Sequence, residues 1–193
     1  MDIFTAIKER RSVGVVKPDA VPTELIEQIL EAGTWAPAHH RTEPWRFFVL
    51  TGDARKTLGQ ALAKYLEKSL DDPSSEESKT RLEKVAAKAL RAPVIIAVAV
   101  EPSEDKKVIV KEEYAAVNAA IQNMLLAAHA LGLGAIWRTG QVCYSDEVKQ
   151  RFNLSERGEM LGFIYLGYPD TKQLTGKRTH FSELTTWLDK EED

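Results

Sequence analysis

WAPAHHRTEPWRFFVL, residues 35–50, carries the chain from a helical pattern into its first strand-like run. WRFFVLT (45–51) is rich in aromatic and branched residues, which is the signature of a strand. The half before it is a loop bounded by Pro37 and Pro44, enclosing His39, His40, Arg41 and Glu43. A structural zinc takes about four ligands, and Glu43, Cys143, His129 and His180 stand at no metal-binding spacing from the pair. A nucleophile–base system is equally unsupported, since no G-x-S-x-G elbow is present and Cys143 lacks a local signature. Two readings remain: a solvated loop, or a ledge beside chemistry done by another group.

Upstream, PTELIEQILEAG (22–33) reads as a helix with Pro22 at its start and Gly33 near its stop. Before it, DIFTAIKERR has an Asp2 cap and places Ile3, Phe4 and Ile7 on one face. Downstream, DARKTLGQALAKYLEKSL (53–70) is an amphipathic helix. It is followed by the most polar stretch of the chain, DDPSSEESK, which makes 69–80 a flexible connection or a surface lid. RLEKVAAKALRA (81–92) is helical, and PVIIAVAV (93–100) is a strand apolar on both faces. The longest helix is KEEYAAVNAAIQNMLLAAHALG (111–132), where Tyr114, Val117, Ile121, Met124, Leu125, Ala128 and Leu131 follow helical spacing. LGAIW (133–137) and MLGFIYLGY (160–168) are further strands, with the Ser-capped helix SDEVKQRF (145–152) between them. The tail sets Phe181, Leu184 and Trp187 ahead of an acidic end. By pattern alone, strands alternating with helices suggest a parallel α/β sheet.

Composition bounds the function. With 193 residues, 44% hydrophobic, the chain suits one globular domain over 1–193 with a substantial core. A net charge of −3 advertises no nucleic acid partner. Cys143 is the only cysteine, which excludes an internal disulfide and a cysteine-based metal cluster. MDIFTAIKERRS has no apolar signal core, and no run approaches the ~20 apolar residues of a membrane span. The expectation is a soluble cytoplasmic protein.

Two further motifs are informative. ERRS (9–12) ends the first helix, where arginines complement the macrodipole. The same Arg10, Arg11 and Ser12 could instead clamp a phosphomonoester, because guanidiniums and a hydroxyl suit its oxygens. LGLGAIWRTG (131–140) combines glycines, a short apolar run and then Trp137, Arg138 and Thr139. It contains no G-x-G-x-x-G, so a dinucleotide-binding Rossmann turn is excluded. Glycines beside a tryptophan do allow a planar ring to approach the backbone.

In their order and spacing these pieces resemble the nitroreductase family of FMN-dependent oxidoreductases over almost the whole chain. The family pattern is an N-terminal helix ending in Arg-Arg-Ser, as in Arg10 to Ser12, then an Ala-Pro loop closing in Pro-Trp, as in Ala36-Pro37 and Pro44-Trp45. A long helix runs into Leu-Gly-Leu-Gly, matched by Leu131 to Gly134, and a late strand ends in Leu-Gly-Tyr-Pro, matched by Leu166 to Pro169. The Ala-Pro-x-His loop and the Ile-Trp-Arg run are similar to small members of the YdjA type.

The resemblance implies an α+β fold: a central mixed, largely antiparallel sheet flanked by helices, in an intertwined homodimer with FMN at the subunit interface. It implies that Arg10, Arg11 and Ser12 hold the FMN phosphate, with Arg178 on the phosphate side. Trp35 and His39 would lie against the cofactor of the other subunit, and Trp137, Arg138 and Thr139 would line its ring or ribityl region. The implied activity is NAD(P)H-dependent, two-electron, ping-pong reduction of small nitroaromatic or quinone-like acceptors, with no side chain needed as general acid or base. A flavin-binding storage or sensing protein, or an enzyme of this fold with a dedicated non-nitro substrate, are the alternatives. Ala38, Arg41 and Glu43 stand where many relatives have Ser, Asn and Gln.

Overall fold

Strand direction is what periodicity leaves open, and it decides the architecture. The computed structural model describes residues 1–172 and 175–188, so the acidic end of the tail lies outside the described residues. Its strands are β1 (Trp45–Thr51), β2 (Val94–Val100), β3 (Gly134–Arg138) and β4 (Glu159–Gly167). They form a four-stranded sheet in the order β1-β2-β4-β3, and every neighbouring pair runs antiparallel. The parallel sheet suggested by strand–helix alternation is therefore corrected. Intervening helices permit either direction, and here they return each chain segment to the opposite end of its neighbour. The α+β arrangement implied by the family resemblance holds.

The helices are α1 (Ile3–Glu9), α2 (Thr23–Thr34), α3 (Arg55–Glu67), α4 (Glu76–Ala86), α5 (Val110–Ala130) and α6 (Asp146–Arg151). Asp2 caps α1 by accepting from the amides of Phe4 and Thr5, both at 3.1 Å. Ser75 likewise caps α4, accepting from Ser78 at 3.2 Å. The polar stretch 69–80 is thus not all connection, because its second half opens a capped helix.

β2 is buried along its whole length and divides two cores. Val94, Ile96, Val98 and Val100 pack with Ile121, Met124 and Ala128 of α5 and Ile29 of α2. On the opposite face Ile95, Ala97 and Ala99 pack with Leu58 and Ala61 of α3, Phe152 and Phe163. Alternation along one strand feeds both layers, so a continuous apolar run was needed. At its far edge β3 is met by the segment following α1, and this junction positions the site.

Candidate functional site

Backbone hydrogen bonds lay residues 12–17 across the β3 edge and the end of β4. Ser12 bridges Ala135, and the Val13 amide donates to the Ala135 carbonyl at 2.9 Å. Lys17 then donates to Tyr168 at 2.8 Å. A short helix followed by this clamp holds Arg10, Arg11 and Ser12 at the start of β3.

The three arginines of the sequence reading do converge. Burial, followed by the neighbouring charges of Arg11 and Arg178, pushes the Arg10 guanidinium pKa down. Arg11 donates from one Nη to the carbonyls of Lys8 at 2.6 Å and Arg10 at 2.8 Å, and its buried Nε has no partner among the described residues. Gly176 makes this packing possible, since a Cβ there would run into the Arg11 guanidinium. Arg178 is exposed and spends one Nη on the Lys177 carbonyl at 2.8 Å. Beside them lies a cavity of about 140 Å³ whose lining includes Arg10, Arg11, His129 and Lys172. Arg10, Arg11 and Lys172 face a single carboxylate, Glu9, in that lining, so positive charge is in excess there.

At the other end of β3 the side chains separate by the period of two. Arg138 places its guanidinium 5.1 Å from the centre of the Tyr165 ring, within cation–π range, and its buried Nε also lacks a partner among the described residues. Burial pushes the Tyr165 phenol pKa up, and the Arg138 charge partly offsets this. Arg138 and Thr139 line a second cavity of about 430 Å³ with Tyr65, Lys88, Arg91 and Gln141. Trp137 instead packs against the α5-side core and donates its indole N–H to the Leu161 carbonyl at 3.1 Å. Gly162 admits that indole: its φ is +145°, and a Cβ would stand 2.7 Å from the Arg138 carbonyl oxygen. The expected trio is therefore split, with Arg138 and Thr139 together and Trp137 on the opposite face.

Trp35 and His39 line neither cavity. Trp35 follows α2 with 79% of its surface exposed. His39 stacks on His40, with ring centroids 4.0 Å apart, and its Nδ1 pairs with the Glu112 carboxylate. The loop around it is strained, because His40, Arg41 and Glu43 have φ of 58°, 55° and 47°. A fully buried carboxylate braces it: Glu113 accepts from the Thr42 hydroxyl at 2.5 Å and from the Ser103 amide at 3.1 Å. The loop 39–43 is thus tied to two adjacent α5 carboxylates.

Sequence reasoning passed over Glu113, Lys88 and Arg91. Glu113 sits in a first helical turn, where acidic residues are ordinarily solvated. His129 was weighed only as a metal ligand, although a histidine among the alanines closing α5 is itself a signal. Thiol chemistry finds no support, since burial pushes the Cys143 pKa up to about 11.

Comparison with known proteins bears directly on this arrangement. The sequence profile of the Nitroreductase family matches residues 7–168. YdjA of Escherichia coli strain K12, provisionally named an NAD(P)H nitroreductase, is 33% identical over 175 residues, covering 91% of this chain and 92% of its own. The crystal structure of a nitroreductase-like family protein from Bacillus cereus superposes with a TM-score of 0.81 at 29% identity, covering 98% of this chain and 97% of that one. A provisionally named nitroreductase from Desulfovibrio desulfuricans, solved in complex with FMN, superposes with a TM-score of 0.71 at 29% identity, covering 100% and 98%.

Proposed function

The chain belongs to the nitroreductase family, and from that premise we propose that it is a single-domain, FMN-dependent NAD(P)H oxidoreductase. Arg10, Arg11, Ser12 and Arg178 hold the FMN phosphate, while Arg138 and Thr139 meet the ring and ribityl region. The observation that carries this reading is the set of buried side-chain nitrogens without partners among the described residues: Arg11 Nε, His129 Nε2 and Arg138 Nε. A buried donor left unmade costs about 1–3 kcal/mol, and a phosphorylated, carbonyl-bearing flavin offers the acceptors these groups lack. The residues present therefore fit the group.

Bound there, FMN would supply two-electron hydride chemistry between NADH or NADPH and a nitroaromatic or quinone-like acceptor, in ping-pong order, with solvent as the source of the proton that accompanies each hydride to the acceptor. The protein's part is to orient and to charge. Arg138, desolvated over Tyr165, stabilises negative charge beside it. The Cys143 thiol stays protonated and out of the reaction. Arg41, exposed on the braced loop, faces donor or acceptor.

The working unit is a homodimer. Ile3, Phe4 and Ile7 of α1 are 56%, 72% and 53% exposed, and Phe181, Leu184, Trp187 and Leu188 of the tail are exposed as well. A second copy would cover such apolar surface and bring Trp35 and His39 toward its cofactor.

The test is a visible spectrum followed by anaerobic NADPH and then steady-state kinetics. Flavin bands near roughly 370 and 450 nm that bleach, with parallel double-reciprocal lines, support the proposal. A flavin that NADPH and NADH fail to bleach would leave a storage or sensing protein. Intersecting lines would remove the ping-pong order.

A further inference from the structure

The cavity of about 430 Å³ is lined from α3, α4, β3 and β4, and its size is that of a small-ligand site. It shares no lining residue with the cavity beside Arg10 and Arg11, and the apolar walls of the two belong to different cores. Arg138 and Thr139 are the only lining residues that the flavin reading uses. Leu66, Val85, Phe163 and Tyr165 give the cavity an apolar, aromatic wall. Lys88, Arg91 and Arg138 add three cations, and among the described residues no carboxylate lines it.

Local backbone geometry gathers these cations. Lys88 lies on a 3₁₀ turn, Ala87–Leu90, and Arg91 follows it directly; in such a turn residues three apart eclipse. Ala89 and Ala92, also three apart, are buried in the core that holds Leu58 and Phe163, which leaves Lys88 and Arg91 together on another side. Arg138 stands over the Tyr165 ring, 5.1 Å from its centre. Burial raises the Tyr165 phenol pKa and the charges of Arg138 and Arg91 oppose it, so both guanidiniums act at one ring. None of the three cations enters an ion pair among the described residues. Three like charges around one aromatic wall attract an anion and repel a cation.

We propose that this cavity binds a small aromatic carboxylate, its ring against Phe163 and Tyr165 and its carboxylate at Lys88 and Arg91. An aromatic body matches the wall, and a planar carboxylate matches the guanidinium fork. An inorganic anion would leave the apolar wall unused, and an uncharged aromatic would leave the cations unused. The proposal goes beyond the flavin reading and does not depend on it.

The test is calorimetric titration of the full-length protein, as isolated, with 2-naphthoate and with 2-naphthamide, which keeps the ring and the shape but lacks the charge. The naphthoate binds about tenfold or more tightly than the amide, and Lys88→Met or Arg91→Met brings it down toward the amide while leaving the amide's own affinity unchanged. Both residues are exposed, so these variants fold. Val85→Trp, which fills the cavity, weakens both probes. Equal affinities in the unsubstituted protein, or no binding of either probe, overturn the proposal. A charge preference that survives both cation substitutions overturns it too, as does binding unchanged in Val85→Trp, which would place the ligand elsewhere. Release of bound flavin by 2-naphthoate would also overturn it, since the cavity would then be the flavin's own. A protein that takes up no flavin sinks the flavin reading alone, and the same titration still decides this one.

Discussion

Two regions contribute polar side chains to the proposed site, and they are built in opposite ways. In the loop 39–43 the polar groups are spent within the protein: Thr42 on Glu113, His39 on Glu112, and Glu113 also on the Ser103 amide. Around β3 they are not, and Arg11, His129 and Arg138 each keep a buried nitrogen with no partner among the described residues. The loop uses hydrogen bonds to hold a strained backbone, with positive φ at His40, Arg41 and Glu43. The cleft stores unmade ones. Saturated polar groups thus mark where shape is kept, and unsaturated ones mark where a ligand completes the structure.

If that contrast holds, substitutions in the two regions separate binding from stability. Arg10→Ala should weaken FMN by about a hundredfold, as the loss of one or two charge-assisted hydrogen bonds requires. The urea midpoint of its flavin-free form should not fall, because Arg10 is repelled by Arg11 and Arg178 when no anion is bound. A lowered midpoint without a change in FMN affinity would break the comparison at its stronger end.

Next in size are effects on folding. Gly162→Ala forces a side chain into a φ of +145° and against the Trp137 indole, and should cost about 2–4 kcal/mol in chemical denaturation. Glu113→Ala leaves the Ser103 amide unpaired and the Thr42 hydroxyl with only the His39 carbonyl at 3.3 Å, at about 1–3 kcal/mol. Its flavin affinity, measured at a temperature where it is folded, should fall much less than that of Arg10→Ala. Equal falls would mean that the loop binds as well as braces.

Smaller still, Arg41→Ala should raise the KM for NAD(P)H or for the acceptor several-fold with little change in stability, since the residue is exposed. Unchanged kinetics would take it out of the site. The smallest effect is at the pair of Lys68 with Glu147. The hydrogen bond from Lys68 holds the Glu147 carboxyl below its ordinary value. A depressed carboxylate stabilises the fold above its unfolded pKa of about 4.3, and that contribution is lost as the pH falls through the folded value. Urea midpoints at neutral and acid pH should therefore differ less in Lys68→Met than in the unsubstituted protein.

Much of this was legible in the residues. The spans of β1, β2 and α5 follow from period and composition, and the caps at Asp2 and Ser145 from residue type at a helix start. Strand direction was not, because alternation of strands and helices is compatible with parallel and antiparallel return. The convergence of Arg10, Arg11 and Arg178 came only through the family likeness, since nothing local links residue 10 to residue 178. Glu113 escaped because helix-start carboxylates usually face water. The left-handed backbone at His40, Arg41 and Glu43 escaped because none of them is glycine, the residue that ordinarily signals it. Trp137 and Arg138 are neighbours in the sequence, yet the strand sends them to different cores.

The central claim is that the arginines gathered beside β3 form the seat of a flavin phosphate. The most direct measurement is the affinity of the unsubstituted, deflavinated protein for FMN against riboflavin, each followed by fluorescence quenching. The account predicts that FMN binds at least about a hundredfold more tightly, as two or more charge-assisted hydrogen bonds demand. Equal affinities would contradict it, and would return Arg10 and Arg11 to the modest task of neutralising the end of a helix.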